Sequence, residues 1–163
     1  ALEANDVLAV LRRESDAPAD LRNRALDLAG ALLDLAPGRS AKPGRARAAE
    51  LLDVGAAEAK FMAICAAQGG FSEPQKARHS TVVSAPASGY LTAIDNRRIA
   101  RIAKLAGAPR QKLAGVRLLT RVGDQIERDM SLYEIHAESP GELDYAHSYA
   151  AGHANAFTIT EAP

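Results

Sequence analysis

The side chains of this 163-residue chain that could do chemistry are four histidines, one cysteine and a run of basic residues. A zinc site usually needs three or four ligands from His, Cys and carboxylates. His147 and His153 are six residues apart, a spacing that does not place them on one face of a helix, and no HExxH pattern is present. We therefore predict no metal site and interpret all four histidines, including His79 and His136, as surface or strand residues.

The motifs of nucleophilic catalysis and phosphate binding are missing from the sequence. It contains no G-x-S-x-G elbow, no P-loop and no G-x-G-x-x-G turn. Cys65 lies in an alanine-rich stretch and is interpreted as a buried small apolar residue, and Gln68-Gly69-Gly70 as the end of a helix. We accordingly predict no catalytic, cofactor-binding or metal-binding residue in this chain, and no cofactor.

The strongest charge feature is a segment from Asn96 to Gly123 that contains no Asp or Glu. Its basic residues are Arg97, Arg98, Arg101, Lys104, Arg110, Lys112, Arg117 and Arg121. The whole chain has 20 basic and 20 acidic residues, so the patch is local, and a globally basic nucleic-acid binder is excluded. The patch could bind phosphate at the helix start after Asp95-Asn96. It could bind nucleic acid, although no aromatic residue interleaves it for stacking. We favour a solvated helix face or a face that docks an acidic partner domain.

Composition indicates the compartment. A single cysteine, Cys65, excludes a disulfide framework and favours a reducing cytoplasm. No apolar run reaches the roughly 20 residues of a membrane span, and no signal-peptide pattern opens the chain. The basic residues are 15 Arg to five Lys, which indicates a GC-rich bacterial gene. We expect a cytoplasmic protein without a membrane partner.

The sequence predicts alanine-rich helices over residues 1 to about 70. Their predicted positions are the first residues of the chain, Pro18 to Pro37-Gly38, Ala46 to Val54 and Ala56 to Ala67. Gly55 suits the left-handed end of the third helix. The chain begins at Ala1 in a helical pattern without a preceding capping residue, so we expect a piece of a longer protein.

After a linker around Pro74 the pattern changes to strands and helices. The predicted strands are His79 to Ser84, Tyr90 to Ile94, Gly115 to Leu119, Leu132 to His136 and Ala156 to Thr160. Asp95 or Asn96 caps one predicted helix, and another spans about Glu142 to Ala151. This order predicts an α+β unit with a mostly antiparallel sheet.

Two long segments carry a family resemblance. Gly89 to Pro109 and Ala114 to Ser139 resemble the C-terminal domain of pyrimidine-nucleoside phosphorylases, in the thymidine phosphorylase branch that includes archaeal AMP phosphorylases. Asp20 to Leu33 and Ala59 to Gly70 resemble the helices that precede that domain. The resemblance implies an α+β fold with N-terminal Ala-rich helices and an α/β-hammerhead-like, mostly antiparallel C-terminal domain. The expected divisions are a helical segment at 1–72, a linker at 73–77 and the C-terminal domain at 78–163.

The resemblance implies a fragment of a pentosyltransferase. Family enzymes are much longer, and their phosphate- and nucleoside-binding residues lie before the position of Ala1, so no catalytic residue is carried over. The intact parent would catalyse reversible phosphorolysis: phosphate attacks the anomeric carbon, the base leaves and (deoxy)ribose 1-phosphate forms, without a metal. Expected partners are the rest of the parent chain and further copies in a homodimer or higher oligomer, not nucleic acid. The alternatives are an AMP phosphorylase parent, or a stand-alone module that binds a phosphorylated ligand through the basic patch at 97–121.

One turn departs from the family pattern. The family commonly has Gly, a variable residue and Pro before the strand, where this chain has Asp129-Met130-Ser131. Because Asp tolerates a left-handed conformation, we expect the turn to be kept. The turn offers no lysine, which excludes the lipoyl and biotinyl carrier domains that resemble this hairpin.

Overall fold

The structure is a computed structural model that describes residues 1–36 and 42–161. These residues form two compact units. One unit is Glu3–Pro74, and the other comprises Ala1–Leu2 and the residues from Gln75 onward. The predicted helix end at Pro37-Gly38 lies outside the described residues.

The first unit is helical. Its described helices are α1 (Leu2–Arg12), α2 (Ala19–Leu35), α3 (Gly44–Asp53) and α4 (Ala56–Ala67). All are present as predicted, with α3 beginning two residues earlier than Ala46. Gly55 follows α3 with φ +80°, which confirms its predicted left-handed conformation. A small core of Val10, Leu26, Ala48 and Leu52 holds the helices together.

Helices α2 and α3 approach closely because each presents a glycine at their contact. A Cβ atom on Gly30 would lie 2.6 Å from Cα of Arg45, and one on Gly44 would overlap the carbonyl oxygen of Gly30. The backbone N–H of Gly44 donates to Asp34 Oδ1 at 2.9 Å, and Arg45 Nε donates to Asp27 Oδ1 at 2.6 Å. Glycine at these two positions lets the backbones of α2 and α3 touch, and this packing offsets the low helix propensity of glycine.

The segment after α4 is tied back to α1 by a bidentate ion pair. The two terminal nitrogens of Arg12 donate to the carboxylate oxygens of Glu73 at 2.7 and 2.9 Å. These hydrogen bonds from Arg12 lower the pKa of the Glu73 carboxyl below its usual range. The pair is exposed, so we expect it to contribute little to stability.

The second unit contains strands and helices in alternation. Its described elements are β1 (His79–Ser84), β2 (Gly89–Ile94), α5 (Asn96–Leu105), β3 (Gly115–Leu118), β4 (Gln125–Ile126), β5 (Ser131–Ala137), α6 (Pro140–Gly152) and β6 (Phe157–Thr160), with a 3₁₀ turn at Ala154–Ala156 before β6. The strands form two antiparallel sheets, ordered β1-β5-β3 and β4-β2-β6. The α+β fold class is confirmed, whereas the strands divide into two sheets rather than one.

Both sheets and both helices share one core. Leu91 on β2, Ile102 on α5 and Ile135 on β5 are fully buried in it. Tyr133 of one sheet stacks on Phe157 of the other, with ring centroids 5.0 Å apart. Burial raises the pKa of the Tyr133 hydroxyl above its usual range. The aromatic pair therefore joins the two sheets across the core.

Local capping explains where α6 begins. Ser139 Oγ accepts from the backbone N–H of Glu142 at 3.3 Å and donates to its carboxylate at 2.8 Å, with Pro140 in the first turn. Ser139 is therefore the N-cap residue of α6, and the helix starts two residues before the predicted Glu142.

The Asp129 turn has the expected conformation. Asp129 has φ +66°, in the left-handed region, and its N–H donates to the carbonyl of Ala85 at 2.9 Å. The turn is thus kept without the family's usual glycine, because Asp adopts this conformation more readily than most residues.

None of the helices in the described residues is both long enough and apolar enough to cross a membrane.

Candidate functional site

Helix α5 carries the densest part of the basic segment, and Asp95 fixes its first turn. Asp95 Oδ1 accepts from the backbone N–H groups of Arg97 and Arg98 at 3.0 and 3.1 Å. A carboxylate of the chain thereby occupies the position at which the sequence suggested a phosphate. A ligand for this helix must therefore contact its side rather than its N-terminus.

One side of α5 is apolar and the other is basic. Ile102 and Ala106 are fully buried, so Arg97, Arg101 and Lys104 lie on the opposite side, at i, i+4 and i+7. We call these three residues the α5 basic face. All three are exposed, and none makes an ion pair within the described residues. The face therefore presents three uncompensated positive charges.

The other basic residues of the segment either bond within the fold or lie outside α5. Arg98 is used within the fold, since it forms an ion pair with Asp95 at 3.3 Å and a hydrogen bond with Asn155. The rest lie beyond α5: Arg110 and Lys112 in the turn before β3, Arg117 on β3 and Arg121 after it. Three of the eight basic residues noted in the sequence therefore form the α5 basic face.

His136 lies largely enclosed on β5. Its side chain is 13% exposed, and its Nε2 lies 3.1 Å from Glu134 Oε2 without hydrogen-bond geometry. Both residues are on β5, opposite Ser80 and Val82 of β1. The pair lines a sheet face, and nothing in the sequence pattern singled it out beforehand.

The remaining histidines take no part in a metal cluster. His79 is on β1 and His147 is exposed on α6. His153 ends α6, with its ring stacked on Tyr149 at 4.0 Å and its Nδ1 2.8 Å from the Tyr149 carbonyl oxygen. Within residues 1–36 and 42–161, no group of three His, Cys, Asp or Glu side chains could hold a metal ion.

A surface cleft of about 650 Å³ lies beside β2 and β4. Tyr90, Glu127, Arg128 and Glu161 contribute to its walls. Arg128 is engaged within the fold, since its Nε donates to the Pro86 carbonyl at 3.1 Å. Ser88 also lines the cleft, and its Oγ accepts from the backbone N–H of Arg128 at 2.9 Å.

Helix α4 is apolar yet buries no residue, so the interpretation of Cys65 as a buried residue is wrong for this chain. Cys65 is only half-buried, and Ile64 beside it is 48% exposed. Of the 12 residues of α4, only Glu58 and Lys60 are polar. The reason is that α4 meets too few neighbours within its unit to be enclosed.

A second apolar surface lies on α2. Leu28, Leu32 and Leu35 recur at i, i+4 and i+7 and are 54%, 69% and 82% exposed. We call them the α2 leucine stripe. The buried residues of α2 are Leu26 and Gly30. Contiguous exposed apolar residues of this kind mark interaction surfaces.

Comparison with known proteins identifies close relatives. A family model described as the pyrimidine nucleoside phosphorylase C-terminal domain matches residues 90–155. A "Putative thymidine phosphorylase" of Hahella chejuensis (strain KCTC 2396) is 49% identical over 161 residues, which are 99% of this chain and 32% of the relative. The protein of the same name in Polaromonas sp. (strain JS666 / ATCC BAA-500) is 52% identical over 161 residues, again 99% and 32%. The "Putative thymidine phosphorylase" of Legionella pneumophila (strain Paris) is 52% identical over 145 residues, which are 89% of this chain and 28% of the relative. The chain spans about a third of the length of these curated relatives.

Proposed function

We propose that this chain, whose residues 90–155 match the pyrimidine nucleoside phosphorylase C-terminal domain, is the structural C-terminal part of a pentosyltransferase acting on a pyrimidine nucleoside. The observation that supports this proposal is an identity of 49% and 52% over 99% of the chain to relatives named as thymidine phosphorylases. The relatives are about three times as long, which leaves room for an active site outside this chain.

The proposed reaction is phosphorolysis. An oxygen of inorganic phosphate forms a bond to the anomeric carbon of the nucleoside as the glycosidic bond to the base breaks. The base leaves with the bonding electron pair and takes up a proton, and a pentose 1-phosphate is the second product. Phosphate is a co-substrate, and the proposal needs no cofactor.

The role that we assign to this chain is structural. What supports this role is that the N-terminus of α5, where the sequence suggested a phosphate, is occupied by the Asp95 carboxylate. We propose that the chain completes the large domain of the enzyme, supports its closure on the two substrates and contributes to contacts between subunits in the cytoplasm.

The test is an assay of base release by the full-length protein with thymidine, uridine, AMP and CMP, each with and without phosphate. We expect phosphate-dependent release from thymidine or uridine, and no release by the 163-residue chain alone. Release from AMP in preference would favour the nucleotide phosphorylase alternative. Release by the chain alone, or no phosphate-dependent release from any of the four, would refute the proposal.

A second candidate function is supported by the α5 basic face. Three exposed cations without ion pairs within the described residues could bind a phosphorylated ligand from the side of the helix. If so, calorimetry of the chain with AMP and with ribose phosphate should show micromolar binding. The double substitution Arg97→Glu/Arg101→Glu should weaken it by roughly tenfold or more, about 1.4 kcal/mol.

The matched control for this binding test is Arg24→Glu/Lys60→Glu. Both residues are exposed on other helices and carry the same charge change. The control variant should bind as the unmodified chain does. An equal loss of affinity in both variants would indicate nonspecific electrostatic attraction. If the unmodified chain gives no heat of binding, the second candidate function is refuted and only the structural function remains.

A further inference from the structure

We propose that the α2 leucine stripe and helix α4 are two docking surfaces for the two thirds of the longer protein that this chain does not contain, and that the occupant presents apolar side chains to both. This inference rests on the proposed function, since it requires that the chain be part of a longer protein. It goes further by naming the surfaces and the chemistry of what covers them.

The composition of α4 is that of an enclosed helix. A helix on a protein surface has a polar side, whereas a helix that is apolar all round is covered on all sides. Glu58 is already paired with Arg13 at 3.1 Å within the unit, which leaves Lys60 as the other charge on α4. Exposed positions Ala59, Ala63 and Ala66 are small, so a second backbone could approach this helix closely.

The leucine stripe has the spacing of a helix-packing seam. Ala25, which is exposed, continues the same row toward the N-terminus of α2, whereas Leu21 at the end of the row packs on the unit's own core. Three leucines left more than half exposed in water lose roughly 1 to 2 kcal/mol each of burial free energy. A partner that covers the row would recover that free energy, so an apolar occupant fits and a polar one does not.

A second copy of this chain or a membrane fits α4 less well. A folded copy is a rigid body that covers one side of a helix, whereas α4 is apolar on more than one side and needs a core built around it. The 12 residues of α4 span about 18 Å, well short of the roughly 30 Å of a bilayer. The length missing relative to the curated relatives is about twice that of this chain, enough to build such a core.

The test compares the same substitutions in two contexts, the 163-residue chain and the full-length protein. Leu32→Glu and Ile64→Glu place a charge on each apolar surface. In the 163-residue chain both should lower self-association, measured by sedimentation at micromolar concentration, and leave helicity and melting unchanged. In the full-length protein both should lower the melting temperature by at least roughly 3 °C, because a carboxylate becomes buried.

Control substitutions at exposed charged positions outside α2 and α4 are Lys76→Glu, after α4, and Asp144→Lys on α6. Both side chains are exposed and charged in the unmodified protein. They should melt within about 1 °C of the unmodified full-length protein, because surface changes away from a contact have small effects.

A probe without any substitution is the reaction of Cys65 with a maleimide. Cys65 lies on α4, is partly exposed and is the one cysteine of this sequence. Located by peptide mass spectrometry, its labelling rate should fall at least tenfold from the 163-residue chain to the native full-length protein. Equal rates in the two would overturn the docking of α4.

Two other results would also overturn the inference. If Leu32→Glu and Ile64→Glu leave the full-length melting temperature unchanged but reduce its oligomeric state, a second copy covers these surfaces. If both substitutions destabilise the 163-residue chain as much as the full-length protein, the chain covers them itself. Phosphorolysis is measured separately. If the full-length protein is inactive but the two substitutions lower the melting temperature only in the full-length protein, the proposed activity is refuted and the docking surfaces are retained.

Discussion

Replacing Gly30 with alanine is expected to destabilise the helical unit by about 2 to 3 kcal/mol. Helix propensity alone predicts the opposite sign, since alanine in a helix is favoured over glycine by about 1 kcal/mol. The new Cβ would lie 2.6 Å from both N and Cα of Arg45, which are backbone atoms that cannot rotate away. Helices α2 and α3 must therefore separate, and the core around Leu26 loosens with them.

Urea unfolding followed by hydrogen exchange of peptides from residues 3–74 measures this effect. The matched control is Gly141→Ala on α6, where an added Cβ meets nothing within 4 Å. The control should be neutral or stabilising, as propensity predicts. A Gly30→Ala variant at least as stable as the unmodified chain would show that the two helices do not touch at this glycine.

Truncating Ile135 to alanine is expected to cost the sheet-containing unit roughly 3 to 4 kcal/mol. Ile135 is fully buried on β5, the central strand of its sheet, opposite Thr81 of β1 and Val116 of β3. Three methyl or methylene groups are removed from a position with no route to solvent, so the cavity adds to the lost transfer free energy. Hydrogen exchange should rise in peptides from residues 75–161.

The control for Ile135 is Val82→Ala on the neighbouring strand. Val82 is 44% exposed, and its truncation should cost less than about 1 kcal/mol. An equal loss in both variants would contradict the described core. In the full-length protein, Ile135→Ala should reduce activity only through the folded fraction, with kcat per folded molecule unchanged. If kcat per folded molecule falls in the Ile135→Ala variant, this core contributes to the catalytic step.

Local patterns in the sequence determined the elements. Strand β1 and helix α4 have the predicted bounds, and Asp95 caps α5, because alternation, helical spacing and caps depend on residues a few positions apart. The two residues of β4 are too few for any periodicity, so this strand was missed. The start of α6 had a readable signal in Ser139 and Glu142, which the apolar spacing alone did not use.

Tertiary structure decided which side of each element is buried and which charges remain free. Leu26 and Leu28 are equally apolar, yet Leu26 is 3% exposed and Leu28 is 54% exposed, because only one side of α2 meets α3. Three of the eight basic residues form the α5 basic face, whereas Arg98 bonds to Asp95 and Asn155. Periodicity specifies which residues share a face of an element. Which face is covered depends on contacts between segments far apart in the chain. For α2 and α4, we propose that the covering segment lies in the rest of a longer protein.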